Sequence, residues 1–234
     1  MSGVSRLRRV GEQVVFFGSL ALLWEAAVLH FQIKPYLLPS LSSVLQSIWV
    51  NRGLLAQQSL ITLHEILLGY FWAVTGGIAI GLAIFAWPPV QRTVYPMVVL
   101  FQGLPKVALA PLMVIWVGYG ITSKVLMAFL FAFFPVVIAT LGGLSGTPAH
   151  LTEHFRAIRA SRWTTFRRLQ MPAALPSIMD GCKTAMPLAV IGAIVGEFVG
   201  AERGLGYLIL EANAAARGDL LFAALIAISA LAGV

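Results

Sequence analysis

Between Leu151 and Pro176 the chain reads LTEHFRAIRASRWTTFRRLQMPAALP. Arg156, Arg159, Arg162, Arg167 and Arg168 stand here against a single acid, Glu153, and Pro172 and Pro176 close the segment. Long apolar runs flank it on both sides. Such a basic stretch has no use in a packed apolar core. A membrane protein can use it as a cytoplasmic docking surface.

The totals place the chain in a bilayer. Of 234 residues, 59% are hydrophobic and 11% charged, against about 25% charged in ordinary soluble domains. Mean hydropathy is +0.88. A bilayer core about 30 Å thick requires roughly 20 apolar residues per helix, so this length predicts an all-α membrane domain with about six transmembrane helices. The net charge of +7 does not point to nucleic acid, because the basic residues gather at span ends, where they set orientation. The one cysteine, Cys182, excludes an intrachain disulfide and argues against a metal cluster. No small-residue cleavage site follows the apolar run after Arg6, Arg8 and Arg9, so that run reads as a first span and not as a signal peptide.

Hydrophobic runs then divide the chain. Residues 1–13 read as a cytoplasmic tail, and 14–59 as a first span (Val14 to Phe31) with an external connector and a short surface helix from Val44 to Leu55. Residues 60–234 form the rest of the membrane domain. Its spans run from Leu60 to Trp87, Val94 to Val117 (interrupted by Gly103-Leu104-Pro105-Lys106 and Pro111), Lys124 to Leu144, Ser177 to Val199, and Leu220 onward. The loop 146–176 lies between the fourth and fifth. The apolar ending at Val234 predicts a C-terminus that is truncated.

Charge placement predicts the orientation. With the N-terminus inside, the inner segments carry Arg6, Arg8, Arg9, Arg92 and the five loop arginines, whereas the outer ones carry Lys34, Arg52, Lys124, Arg203 and Arg217. The excess favours a cytoplasmic N-terminus and loop. Gly77 with Gly81, and Gly192, Gly196 and Gly200, have the four-residue spacing that lets helices approach closely. They read either as plain packing or as surfaces that slide during transport.

Several segments together resemble one family. They are Trp24-Glu25, Tyr36-Leu37-Leu38-Pro39-Ser40, Gly103-Leu104-Pro105-Lys106, Ala110-Pro111-Leu112, Ile115-Trp116-Val117-Gly118-Tyr119-Gly120, Phe134-Pro135 and Gly204-Leu205-Gly206-Tyr207-Leu208-Ile209. In this order and spacing, the chain resembles the permease subunit of bacterial ATP-binding-cassette importers of type I fold, in the group of the nitrate, sulfonate and taurine permeases. The resemblance implies a multi-pass protein of the bacterial inner membrane, without a cofactor of its own. It implies as partners two cytoplasmic ATP-binding subunits, an extracytoplasmic substrate-binding protein, a second permease copy and the lipid bilayer.

By the same resemblance the basic segment is the EAA loop, a helix-turn-helix that docks into the ATPase. Glu153 holds the family's glutamate, while His154 and Phe155 replace two alanines and Arg159 replaces a glycine. Ala160, Trp163, Phe166 and Pro172 agree with the pattern. Glycine accepts positive φ without steric penalty, whereas arginine kept left-handed costs about 1 kcal/mol or more. The residues alone also support docking: Glu153, Phe155 and Arg156 fall on one short helix, Trp163 and Phe166 on a second, and amphipathic helices commonly insert aromatics into a partner's groove.

Ionisable residues inside apolar runs are costly and usually face a cavity or a partner. Lys106, Glu197 and Lys183 are therefore candidates for the translocation path, with Asp180 and Lys183 also spaced for a local pair. The chain has no GxxxxGK[ST] loop, so ATP hydrolysis by that route falls to a partner. The carried molecule is expected to be small: nitrate, a sulfonate, taurine, an aromatic acid or a vitamin precursor. A non-transporting scaffold that kept the fold, and an ion-driven secondary transporter, are the competing readings.

Overall fold

The computed structural model describes residues 3–233; the side chains of Arg6, Arg8 and Arg9, counted above for orientation, and Val234 lie outside the described residues. The described chain is helical throughout: α1 (Gly3–His30), α2 (Leu41–Val50), α3 (Arg52–Ala86), α4 (Pro88–Gln102), α5 (Ala110–Val117), α6 (Ile121–Ser145), α7 (Ala149–Ala157), α8 (Arg162–Thr165), α9 (Met171–Gly200), α10 (Leu205–Ala214) and α11 (Gly218–Ala232). Among the described residues, four helical stretches are long and apolar enough to cross a membrane: α1 from Gly11, α3, α6 and the run Arg162–Gly200. The α4 and α5 helices pass the same test only together, as one span bent by 85°. The α11 helix is apolar but only 15 residues long.

Three boundaries differ from the sequence reading. The expected surface helix and second span meet at Asn51, and α3 then runs unbroken for 35 residues. The fifth span starts well before Ser177, because Pro172 and Pro176 do not end a helix here. Pro172 sits in the first turn of α9, where a missing N–H costs little. A single wide turn over Phe166–Gln170 precedes it, with the Met171 amide reaching back to the Phe166 carbonyl. Last, α10 was not expected as a helix at all.

The centre of the molecule is α6, packed between α3 and α9. Lipid is as apolar as leucine, so membrane helices associate through close packing and buried polar contacts. The buried face of α3 carries Gly69, Ala73, Gly77 and Gly81, one residue per turn. A Cβ on Gly77 would lie 2.9 Å from the Val136 side chain. The buried face of α9 is built likewise from Ala185, Ala189, Gly192, Ala193 and Gly196. Both glycine series found in the sequence, Gly77 with Gly81 and Gly192 with Gly196 and Gly200, thus lie at close contacts with neighbouring elements. Large apolar side chains point outward instead, among them Phe71, Trp72, Ile115, Trp116 and Ile191.

The first helix is tied to the bundle near its C-terminal end. Trp24 donates from its indole to the Pro39 carbonyl at 3.1 Å, and its ring lies 5.9 Å from that of Phe222 in α11. Glu25 accepts from the Ser42 hydroxyl at 2.6 Å and the Ser42 amide at 3.2 Å. A carboxylate there also suits the positive end of α2, whose N-cap is Ser40.

Gly192 is where this packing is tightest against backbone: a Cβ would fall 2.6 Å from the Met127 carbonyl and 2.8 Å from the Ala128 Cα. Gly192→Val should therefore push α6 and α9 apart. Overpacking typically costs about 1–3 kcal/mol; here backbone must move, so the upper end is expected. A lowered thermal midpoint of the detergent-purified permease would register it, with Ile191→Val on the exposed face as the unaffected control.

Candidate functional site

The basic loop folds as two short helices joined by a left-handed turn. The α7 helix ends at Ala157, and Arg159 follows with φ 56°. Its amide donates to the Arg156 carbonyl at 2.9 Å, and the Ala160 amide donates to the Phe155 carbonyl at 2.9 Å. This bond pair is the helix-ending turn that usually holds glycine; the backbone geometry is kept with arginine in place. Ser161 then caps α8 by accepting from the Thr164 amide at 3.1 Å.

The side chains of this loop divide between interior and surface. Phe166 packs against the cluster of Leu144, Ala174, Ile178 and Cys182, anchoring the loop to α6 and α9. Trp163 stacks on Phe166 at 5.7 Å but stays 67% exposed, as does Ile158 at 61%. Glu153, Arg156, Arg159, Arg162, Arg167, Arg168 and Pro172 are exposed, and Phe155 and Ala160 half-buried. The loop thus exposes the large apolar side chains Ile158 and Trp163 together with its five arginines.

Lys106 opens a tight turn, Lys106–Leu109, at the break between α4 and α5. Its ammonium donates to the Gln102 carbonyl at 3.1 Å and lies over the rings of Phe134 and Phe131 at 5.3 and 5.7 Å. It so satisfies one carbonyl freed where the helix stops, and the ring faces of α6 shelter its charge. Lys183 is 75% exposed on α9, 3.5 Å from Asp180, itself 74% exposed.

Glu197 lies elsewhere, in the packed interior, only 1% exposed. Its carboxylate accepts from the Thr62 hydroxyl at 2.6 Å and from the Gly206 amide at 2.5 Å. The Leu205 amide donates to Thr62 at 2.8 Å, and the Gly204 amide to the Gln58 side chain at 2.6 Å. Three consecutive amides at the start of α10, which lack partners within their own helix, are thus all taken up by α3 and α9. Gly204 has φ 111°, and a Cβ there would strike the Glu197 carboxylate at 2.2 Å, so only glycine fits. Glu65 adjoins Glu197.

Lys124 completes this cluster. It donates to the Gly120 carbonyl at 3.1 Å, and to the carbonyls of Tyr119 and Gly200. Counted from sequence as an outer flanking charge, Lys124 is instead 3% exposed, because it caps the end of α9. Gln58, Thr62 and Lys124 were missed as a group. The available signal was the 58, 62, 65 spacing, which puts three polar residues on one face of a helix.

The comparisons with known proteins agree with this architecture. The model of the family "binding-protein-dependent transport system inner membrane component" matches residues 66–234. A probable ABC transporter permease of Haemophilus influenzae is 35% identical over 93% of this chain and 89% of its own. The formylaminopyrimidine transport permease of Halalkalibacterium halodurans is 40% identical over 84% of this chain and 78% of its own. The taurine transport permease of Escherichia coli is 31% identical, covering 92% and 82%. Among solved structures, a chain of the MetNI methionine ABC transporter in an inward-facing conformation superposes with TM-score 0.62 at 22% identity, covering 77% of this chain and 92% of that one. This likeness concerns the fold. The chain therefore belongs to the inner-membrane components of binding-protein-dependent transport systems: it is an ABC importer permease of the nitrate, sulfonate and taurine type, a multi-pass transport subunit and not itself an enzyme.

Proposed function

We propose that this chain lines the path by which a small molecule enters the cell, works as a homodimer with its N-terminus cytoplasmic, and couples to two ATPase subunits through the loop 151–176. The observation that carries this reading is the loop's exposed patch, Ile158 and Trp163 amid arginines, rooted through Phe166 in the same helices that form the centre of the bundle. Exposed apolar side chains on a loop rich in arginine suit a protein groove with acidic groups. The intact turn at Arg159 supports a working coupling loop over a scaffold that has lost it. The names of relatives put formylaminopyrimidine, riboflavin, taurine and aliphatic sulfonates in the range of carried molecules.

Lys106 and Lys183 belong to the path on this reading. A half-sheltered ammonium at a broken span, beside freed carbonyls, suits a wet cavity and is costly against lipid. Glu197 serves the path indirectly, by holding the outer end of α9 to α10.

Orientation and docking are tested by Thr165→Cys: an impermeant maleimide should label it only from the cytoplasmic side, and the ATPase should protect it. Labelling from outside in intact cells would overturn both. Arg159→Gly should leave assembly intact and coupled ATPase activity unchanged or higher. Relief of about 1 kcal/mol of left-handed strain is offset by glycine's entropy cost of roughly 0.5–1 kcal/mol. A large loss would show that Arg159 makes a contact of its own with the ATPase. Lys106→Met should lower uptake at least about tenfold, the worth of one charge-assisted bond, with the complex assembled and basal ATPase retained. Normal uptake would make Lys106 structural.

A further inference from the structure

Among the described residues, one buried side chain has a polar atom that no donor reaches: Oε2 of Glu65 on α3. Glu65 is 4% exposed. A carboxylate removed from water and given no donor is among the costliest groups a protein can bury. The group within hydrogen-bond reach of Glu65 is a second carboxyl, that of Glu197 on α9. Two carboxyl groups can bond to each other only through a proton on one of them.

The charges around the pair do not balance. Lys124 of α6 brings one positive charge, but an ammonium has three hydrogens, and these point to the carbonyls of Tyr119, Gly120 and Gly200. None is left for Glu65. Glu202, in the turn after α9, adds negative charge near Lys124. Arg217 and Asp219 at the start of α11 pair with each other at 3.7 Å, while His64 of α3 and Glu211 of α10 are exposed. The start of α10 offers only its amides. Two buried carboxyl groups therefore share one cation, and one further positive charge is needed. No third carboxylate, histidine or cysteine of the described residues joins them to hold a metal ion. A proton meets the need without further ligands, as in other carboxyl pairs that share a site.

Hydrogen bonding decides which group carries it. Glu197 accepts from the Thr62 hydroxyl and the Gly206 amide, two donors that suit a carboxylate. Glu65 has no such donor. We propose that Glu65 and Glu197 form a buried proton-binding site, in which Glu65 is held as the neutral acid and donates to the Glu197 carboxylate, so that one proton latches α3 to the junction of α9 and α10. Its release sets two negative charges against each other between α3 and α9, the two helices that pack on α6.

Infrared spectra of the purified permease in nanodiscs test the proton directly. At neutral pH the wild type should show the C=O stretch of a protonated carboxylic acid, sensitive to deuterium, and Glu65→Gln should lack it. Thermal midpoints test the direction of the bond. Glu65→Gln should keep the midpoint at neutral pH, because its amide N–H can replace the acid O–H. Glu197→Gln should lower it, since its NH2 group would face either the Thr62 hydroxyl or the Gly206 amide. From about pH 7 to 9 ordinary carboxylates and lysines do not titrate. Over that range wild-type stability should fall, by up to about tenfold in the unfolding equilibrium per pH unit, because the folded state holds a proton that the unfolded chain has already released. Glu65→Gln should lose less. Absence of the acid band, or equal pH slopes for wild type and Glu65→Gln, would overturn the site. A reversed pattern, with Glu197→Gln tolerated and Glu65→Gln unstable, would overturn the assignment of the proton to Glu65. A midpoint that rises with added sodium or potassium and ignores pH would put a metal ion in the proton's place and also overturn it.

Discussion

The close approach of α6 to α3 and α9 is the constraint on which the other features depend. Inside a bilayer, burying a leucine against another helix yields little over leaving it in lipid, so stability comes from contacts that lipid cannot make. Small residues on α3 and α9 let their backbones reach α6, and Gly192 meets the α6 main chain itself. Bulky side chains are left for the outside of the bundle. The basic loop follows α6, and the polar cluster around Glu197 takes Lys124 from its first turn.

The cluster around Glu197 supplies the second kind of contact, buried hydrogen bonds. Helix starts and ends leave amides and carbonyls unpaired, and in a membrane these must be satisfied internally. Here the start of α10 is met by Gln58, Thr62 and Glu197, while the end of α9 is met by Lys124. Charged residues that are expensive in lipid are tolerable because each answers a helix terminus. The cluster also explains why glycine stands at 204, where any side chain would displace the Glu197 carboxylate.

Between the basic loop and that cluster runs one helical stretch, Arg162–Gly200. The exposed aromatic Trp163 stands at its start, Asp180 and Lys183 in its middle, and Glu197 near its end. Pro172 and Pro176 fall in or next to its first turns, where they remove few bonds, and the wide turn at Phe166–Gln170 takes up the irregularity. One continuous helical stretch thus joins the exposed end of the basic loop to the polar cluster around Glu197.

Much of this was legible in the residues. Apolar runs of span length and sparse charge required a membrane bundle, because a bilayer demands about 20 such residues per helix. Arginines clustered with aromatics marked the 151–176 loop, and Arg159 in a glycine's place predicted a turn that the backbone indeed makes. The glycine spacings announced close packing, since that pattern depends only on helix periodicity. Local patterns could not say where charges inside the apolar runs would point. Lys124 read as a flank and is buried; Glu197 read as a path residue and is enclosed by Thr62 and Gly206. Pro105 and Lys106 marked an interruption, but not a bend of 85° or an ammonium set over two rings of α6. Which polar group meets which helix end depends on residues more than a hundred positions apart, as Thr62 and Glu197 are. Only the packed arrangement of three helices brings such groups within hydrogen-bond reach, so the tertiary structure alone decided their partners.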